Sequence, residues 1–494
     1  MPKKTKSQPG QKTKQGYIST TFETPDLPDY VIVKLKYESP VAFAATGFVA
    51  PADAEPQASS LNRVLSKYDI AAVRSHFGKK REEVSHRIAV ARALPAAGMA
   101  AAVEGKGLDA DFIQSSYVQI VPKKRGDAPK LARELQRQGA VSQAYVAPRP
   151  VPAAMATGTS PDSRNFEPAQ GYLHSAPEGI GAMEVWPLAG GKGKGVTICD
   201  IEGNWNLAHE DLPASILHIG GTVINDIGWR NHGTAVLGEM VSKPGDAGTV
   251  GIAHQALAKV HSAVIGGVFN TAGAIAGATA ALKAGDAILI ELQATGPNGK
   301  YVAMQYWNDI FSAIVAATAK GITVVEAAGN GNENFDLAIF NGTGLQKDSG
   351  AIVVGAGIPP TNFFDNFGFG AGTAYTKIGV PRSRIWFSNY GKIVNVHGWG
   401  WHVTTCGYGD AQGGASENRW YTHRFSGTSS ASPIVTGAVA CLQGIAKTKG
   451  APLSPAKIRK ILMKTGTPQV SGPGVPLTQH IGPLPNLKKA AKLV

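Results

Sequence analysis

The chain has 494 residues, of which 43% are hydrophobic and 17% charged, a composition that suits more than one soluble globular domain and excludes a fibrous or wholly disordered chain. The net charge is +13, and residues 1–150 hold 23 Lys+Arg against 14 Asp+Glu, so the basicity sits mainly in the N-terminal third. No nucleic-acid-binding motif accompanies it and acids are interspersed with the bases, which argues against a nucleic-acid partner. The three cysteines, Cys199, Cys406 and Cys441, cannot close a disulfide framework, and Cys199 and Cys441 sit in apolar runs as small buried residues.

Residues 1–27 form a basic, polar tail without periodicity, expected to be disordered. The N-terminus lacks the apolar segment of a secretory signal, and the apolar stretch 41–50 is short and lies late. No stretch reads as a bilayer span, so a soluble protein with no membrane partner is expected, leaning cytoplasmic. Residues 30–37 (YVIVKLKY) alternate like a strand, while residues 59–76 and 80–94 have helical spacing. Residues 117–122 (YVQIVP) read as a second strand. Asp127 is a candidate helix cap, with Pro129 in the first turn and Leu131 and Leu135 on one face. Residues 141–146 complete the set, and together these elements predict a small α+β domain over 28–150. Residues 147–165 are rich in Pro, Ala, Ser and Thr, which is linker composition and a favoured place for proteolytic nicking. The linker is assigned to 151–165 and a second domain to 166–494.

From Gly191 the pattern changes. Short apolar runs recur at 196–201, 259–265, 287–292, 322–328 and 351–356, with Ala-rich helical stretches at 271–284 and 310–320 between them. Buried strands alternating with helices predict an α/β domain with a mostly parallel central sheet flanked by helices.

Four segments of this second domain carry chemistry. Asp200 ends the apolar run in GKGVTICDIEG. His232 opens a helix-like run in NHGTAVLGEM. Asn330 follows a strand in ITVVEAAGNGN. Ser429 precedes an apolar helix in FSGTSSASPIVTGAVACL, with Pro433 expected in that helix's first turn. A serine hydroxyl needs a base to become a nucleophile, a histidine near its ordinary pKa is such a base, and a buried carboxylate fixes the imidazole tautomer. An amide side chain can stabilise a developing oxyanion, and a helix N-terminus adds a favourable dipole at the serine.

In the order Asp, His, Asn, Ser these segments resemble the subtilisin-like serine peptidases (subtilases, peptidase S8), over about 166–470. FSNYGKIV (387–394) and GTVGIAH (248–254) are similar to the family's style as well. The resemblance implies a subtilisin-like fold and a serine endopeptidase working through an acyl-enzyme. Its catalytic residues would be Asp200, His232 and Ser429, with Asn330 at the oxyanion. It departs from the family pattern in places. The usual Asp-Thr/Ser-Gly becomes Asp200-Ile201-Glu202-Gly203, a second His becomes Ala235, and the Met after the nucleophile becomes Ser430. The cleft-lining Ser-Leu-Gly becomes Glu291-Leu292-Gln293. These three, with Glu326 in the strand before Asn330, are the candidate substrate-binding residues, and the two acids suggest a preference for a basic residue before the scissile bond. The alternative for both acids is a structural hydrogen-bond role.

By the same resemblance the N-terminal domain is a propeptide that inhibits the enzyme with its C-terminal end in the cleft and is cut within 147–165; a permanently attached regulatory domain is the alternative. The partners are then a protein or peptide substrate and this intramolecular domain. The mechanism requires no cofactor; many subtilases hold structural calcium, but no D-x-D-x-D-G ligand loop occurs here, and no metal ligand is assigned. The rival functions are an inactive or weak peptide-binding pseudo-protease, and an esterase or peptide ligase on the same scaffold.

Overall fold

The computed structural model describes residues 27–44, 47–78, 110–151, 164–360 and 379–494. The N-terminal domain is built on strands β1 (Val31–Leu35), β2 (Ile70–Ser75), β3 (Tyr117–Pro122) and β4 (Val141–Val146), in the spatial order β2-β3-β1-β4, all antiparallel. Its helices are Glu55–Leu65, Ala110–Ser115 and Ala128–Gln136. The alternation in β1 sorts side chains by face. Val31, Val33 and Leu35 pack with Leu61, Leu131 and Leu135 in this domain's own core. Tyr30 and Ile32 point the other way and join a core shared with Ala272, Ile310 and Ile314. A sheet buried on both faces by two sets of helices needs apolar residues at successive positions, which is what YVIV supplies.

Two expectations for this region change. The helical spacing over 59–76 resolves into a helix ending at Leu65 and then strand β2, which pairs with β3 from Ile70↔Pro122 to Ser75↔Val118; the tertiary pairing overrides the local propensity of an Ala-containing segment. Asp127 stands at the N-cap position, but its backbone is helical and its side chain makes no cap hydrogen bond. The helix expected over 80–94 lies outside the described residues.

The second domain carries a seven-stranded parallel sheet of strands β5 (Thr197–Glu202), β6 (Leu217–Gly220), β7 (Leu257–Ser262), β8 (Ala287–Ile290), β9 (Thr323–Ala327), β10 (Ile352–Gly357) and β11 (Val394–Trp399), in the order β11-β10-β9-β8-β5-β7-β6. On one face lie the His232 helix (Ile227–Val241) and the Ser429 helix (Thr428–Thr448), packed through Val236, Met240, Ile434 and Val435. On the other face lie helices Thr271–Ala281 and Asn308–Ala319. Among the described residues one helix, Thr428–Thr448, is long and apolar enough to cross a membrane, and its apolar stretch is buried inside the protein. All three cysteines are free and buried.

The N-terminal domain docks on the second of these faces. Asp309, in the first turn of its helix, is 2% exposed and takes hydrogen bonds at both oxygens. Tyr145 donates to Oδ1 at 2.6 Å and His76 Nε2 meets Oδ2 at 2.7 Å. Around this anchor Tyr30 donates to the Phe269 carbonyl, Asn270 to the His76 carbonyl, and Tyr117 to the Asn308 carbonyl. Removing the acceptor of a buried hydrogen-bonded cluster leaves its donors unsatisfied, at about 1–3 kcal/mol each. Asp309→Ala is therefore expected to loosen the N-terminal domain as a unit. Amide exchange in β1–β4 and in Asn308–Ala319 should accelerate by about a hundredfold or more, while exchange in β8 and β9 stays slow. Equal protection in wild type and variant would show that Asp309 is not the anchor.

Candidate active site

The site sits at the C-terminal edge of the parallel sheet, where α/β proteins gather ligands and catalytic groups. Strand β5 supplies two acids, Asp200 and Glu202. They are two residues apart, so they share a face of the strand, and both are fully buried. Glu202, at the strand's end, reaches the His232 helix: its Oε2 lies 2.7 Å from His232 Nδ1. Asp200 lies one pleat further back, where its Oδ2 accepts the indole N–H of Trp205 at 2.7 Å. The acid beside the imidazole is thus Glu202 and not the expected Asp200. Gly203 lets Trp229 and Ile224 close over this turn, since a Cβ there would lie 2.4 Å from the Trp229 ring.

His232 is itself fully buried and packs edge-on against Phe425 at 5.4 Å. Burial pushes the imidazole well below the usual range, and burial likewise pushes the Glu202 carboxyl up. Asp200 is raised too, first by burial and then by the neighbouring Glu202 carboxyl, with the Trp205 hydrogen bond opposing.

Ser429 is the second residue of its helix, entered through Gly427 at φ 108°, a left-handed conformation that suits glycine. Pro433 lies inside the helix, a turn later than expected, and its missing N–H leaves the Ser429 carbonyl without its helical donor. Asn330 follows β9. Its Oδ1 accepts from both the N–H and the hydroxyl of Thr428, at 2.9 and 3.0 Å, and its own N–H donates to the Gln293 side chain. Thr428 N–H needs an acceptor, so the amide oxygen is fixed on the helix side and Nδ2 is turned to the other. The loop is held by Asn389 of the FSNYG segment, which is fully buried. It donates to the carbonyls of Ala328 and Tyr301 and accepts from the N–H groups of Gly331 and Glu333. Asn389 and Thr428 lie in segments that carry a sequence signal, FSNYG and the Gly-Thr-Ser turn, without a role of their own being legible there, and Trp205 has no such signal.

The four expected substrate-binding residues separate. Gln293 presents its backbone outward: Val151 N–H donates to its carbonyl at 2.9 Å and its N–H to the Val151 carbonyl at 3.3 Å, an antiparallel bridge. Leu292 is core. Glu291 is fully buried with its carboxyl against Ser432. Glu326 is fully buried too and accepts the Gln305 N–H; burial lifts it to about 8. Both acids are buried in this arrangement, Glu291 against Ser432 and Glu326 against the Gln305 backbone. Among the described residues no cluster of His, Cys, Asp or Glu could hold a metal ion.

The sequence pattern of the subtilase family matches residues 193–482, well over half of the chain. The chain belongs to the subtilase family. It is therefore a serine endopeptidase, a hydrolase acting on peptide substrates. Among solved structures, fervidolysin from Fervidobacterium pennivorans, a keratinolytic enzyme related to subtilisin, is similar over 95% of this chain and 62% of its own, at 15% identity and a TM-score of 0.52; at that identity the likeness concerns the fold. A protease from Pseudoalteromonas arctica PAMC 21717 matches 68% of this chain and 99% of its own, at 19% identity and a TM-score of 0.48. No curated protein matches the sequence.

Proposed function

We propose that this subtilase is a self-restrained endopeptidase with Glu202, His232 and Ser429 as its catalytic triad and its N-terminal domain as an inhibitory propeptide. The observation that carries the restraint is the antiparallel bridge between Val151 and Gln293. It lays the end of the N-terminal domain along the backbone beside Asn330 as an extended peptide would bind, by strand addition. Ser429 and His232 are both 0% exposed in this arrangement, which agrees with a covered cleft.

In the reaction, Ser429 Oγ attacks the scissile carbonyl as His232 Nε2 takes its proton. Glu202 accepts from Nδ1–H, which leaves Nε2 as the base and stabilises the imidazolium once it forms. The oxyanion is met by Asn330 Nδ2 and the Ser429 N–H at the helix N-terminus. His232 then protonates the leaving amine, and water releases the acyl group by the same steps reversed. None of these steps calls for a metal or organic cofactor.

A serine-reactive fluorophosphonate tests this reading. Intact protein should label slowly. Protein nicked within 152–165, with its N-terminal domain removed, should label at Ser429 at least about a hundredfold faster. Absence of labelling in both forms would favour the peptide-binding pseudo-protease instead.

A further inference from the structure

Beneath the nucleophile lies a carboxyl that the mechanism above does not use. Glu291 follows β8, its N–H donating to the Ile201 carbonyl of β5, so it stands beside Glu202 on the adjoining strand. Its Oε1 contacts the Ser432 hydroxyl, and its Oε2 is buried with no hydrogen-bond partner among the described residues. The Ser429 hydroxyl faces the same carboxyl without completing a hydrogen bond to it. From the His232 helix Glu239 approaches, fully buried and with both carboxyl oxygens unpartnered. The ionisable groups facing Glu291 are thus Glu202 and Asp200 from β5 and Glu239 from the His232 helix. Glu326 on β9 turns to the Gln305 backbone instead. No Lys or Arg is among them.

The Ser432 hydroxyl links this carboxyl to the helix. The Ser432 hydroxyl has one hydrogen. It lies 2.7 Å from the Thr428 carbonyl, the acceptor one helical turn back. Where it donates to that carbonyl it accepts from Glu291, which then carries the proton; a carboxyl buried beside Glu202, Asp200 and Glu239 with no Lys or Arg facing it favours this arrangement over Ser432 donating to Glu291. The surroundings agree: burial, then the Glu202 and Asp200 carboxyls, hold it well above the usual carboxylate range. The nearby Ser432 and Ser429 hydroxyls pull the other way.

We propose that Glu291 is a positioning residue for Ser429. It works as a neutral carboxylic acid whose proton runs through Ser432 to the Thr428 carbonyl, and the enzyme loses activity when that proton leaves. Thr428 is the residue that also clasps the Asn330 oxygen. The chain Glu291, Ser432, Thr428 therefore ties one proton to the turn that presents both the nucleophile and the oxyanion donor. Once Glu291 ionises, Ser432 must turn to it. A negative charge then faces Ser429 in a fully buried site, opposing the charge that develops on the oxyanion.

This inference rests on the catalytic reading above. Its test is the pH profile of kcat on a peptide amide for nicked wild type and Glu291→Gln, with the carbonyl stretch of protonated carboxylic acids followed in the infrared. Gln donates to Ser432 as the neutral acid does and cannot ionise. Wild type should fall about tenfold per pH unit on its alkaline limb, the slope of one proton. Glu291→Gln should be slower severalfold at neutral pH yet vary by less than about threefold over the same alkaline range. One carboxyl's share of the infrared band should be present in wild type at neutral pH and missing in the variant. If Glu291→Gln does not fold, Ser432→Ala should move both the band and the limb. An unchanged limb in the folded variant, or an unchanged band, overturns the proposal. Should neither protein hydrolyse peptide nor label with fluorophosphonate, the catalytic reading fails on its own, and the infrared band still decides whether Glu291 holds the proton.

Discussion

Glu202→Gln should lower kcat by about 10⁴-fold, whereas Asp200→Asn should cost no more than about tenfold. Both substitutions remove one buried carboxyl from the same face of β5, so desolvation and packing change alike. The difference lies in what each acid touches. Glu202 Oε2 is 2.7 Å from His232 Nδ1. A Gln amide there can still bond the ring, but it brings no negative charge to the imidazolium and can present its NH₂ to Nδ1, which selects the wrong tautomer. Asp200 accepts from the Trp205 indole, and an Asn oxygen does that equally well. It also removes a carboxyl that burial and Glu202 already hold well above its usual range. The measurement is steady-state kcat on one peptide amide for the two variants, with circular dichroism to show that both are folded. A large loss in Asp200→Asn with Glu202→Gln nearly active would return the orienting role to Asp200.

That pair also marks the limit of what the sequence conveys. Composition and alternation are enough for the buried strands β5, β7, β8, β9 and β10, because a parallel sheet covered on both faces demands continuous apolar runs. Ser429, His232 and Asn330 are legible because each lies inside a distinctive short motif. The choice between Asp200 and Glu202 is not, since residues two apart on a strand share a face and only the position of the His232 helix decides between them. Strand β11 escaped notice because Asn395 and His397 interrupt its apolar pattern. In the fold both are buried and hydrogen-bonded, Asn395 Oδ1 to the Val353 N–H and His397 Nδ1 to the Gly482 carbonyl. Strand β2 reads as helix until β3 pairs with it. The roles of Glu291 and Glu326 turn on side-chain direction, which spacing alone does not give.

The N-terminal domain has a core of its own and a second apolar face spent on the catalytic domain. That division suits a part that folds early and binds tightly. Under the proposed restraint, covalent attachment raises its effective concentration and a cut in the linker would allow it to leave. Self-processing would then be a consequence of the proposed nucleophile, Ser429. Ser429→Ala removes the only atom that attacks and should cost about 10⁶-fold in kcat, leaving the fold and the Val151–Gln293 bridge intact.

Intact-mass spectrometry of purified wild type beside Ser429→Ala tests this most directly. The account predicts that wild type loses everything before a cut within residues 152–165, while Ser429→Ala keeps its full mass. A variant shortened at the same place as wild type would contradict it, since Ser429 would then not be the nucleophile that frees the enzyme.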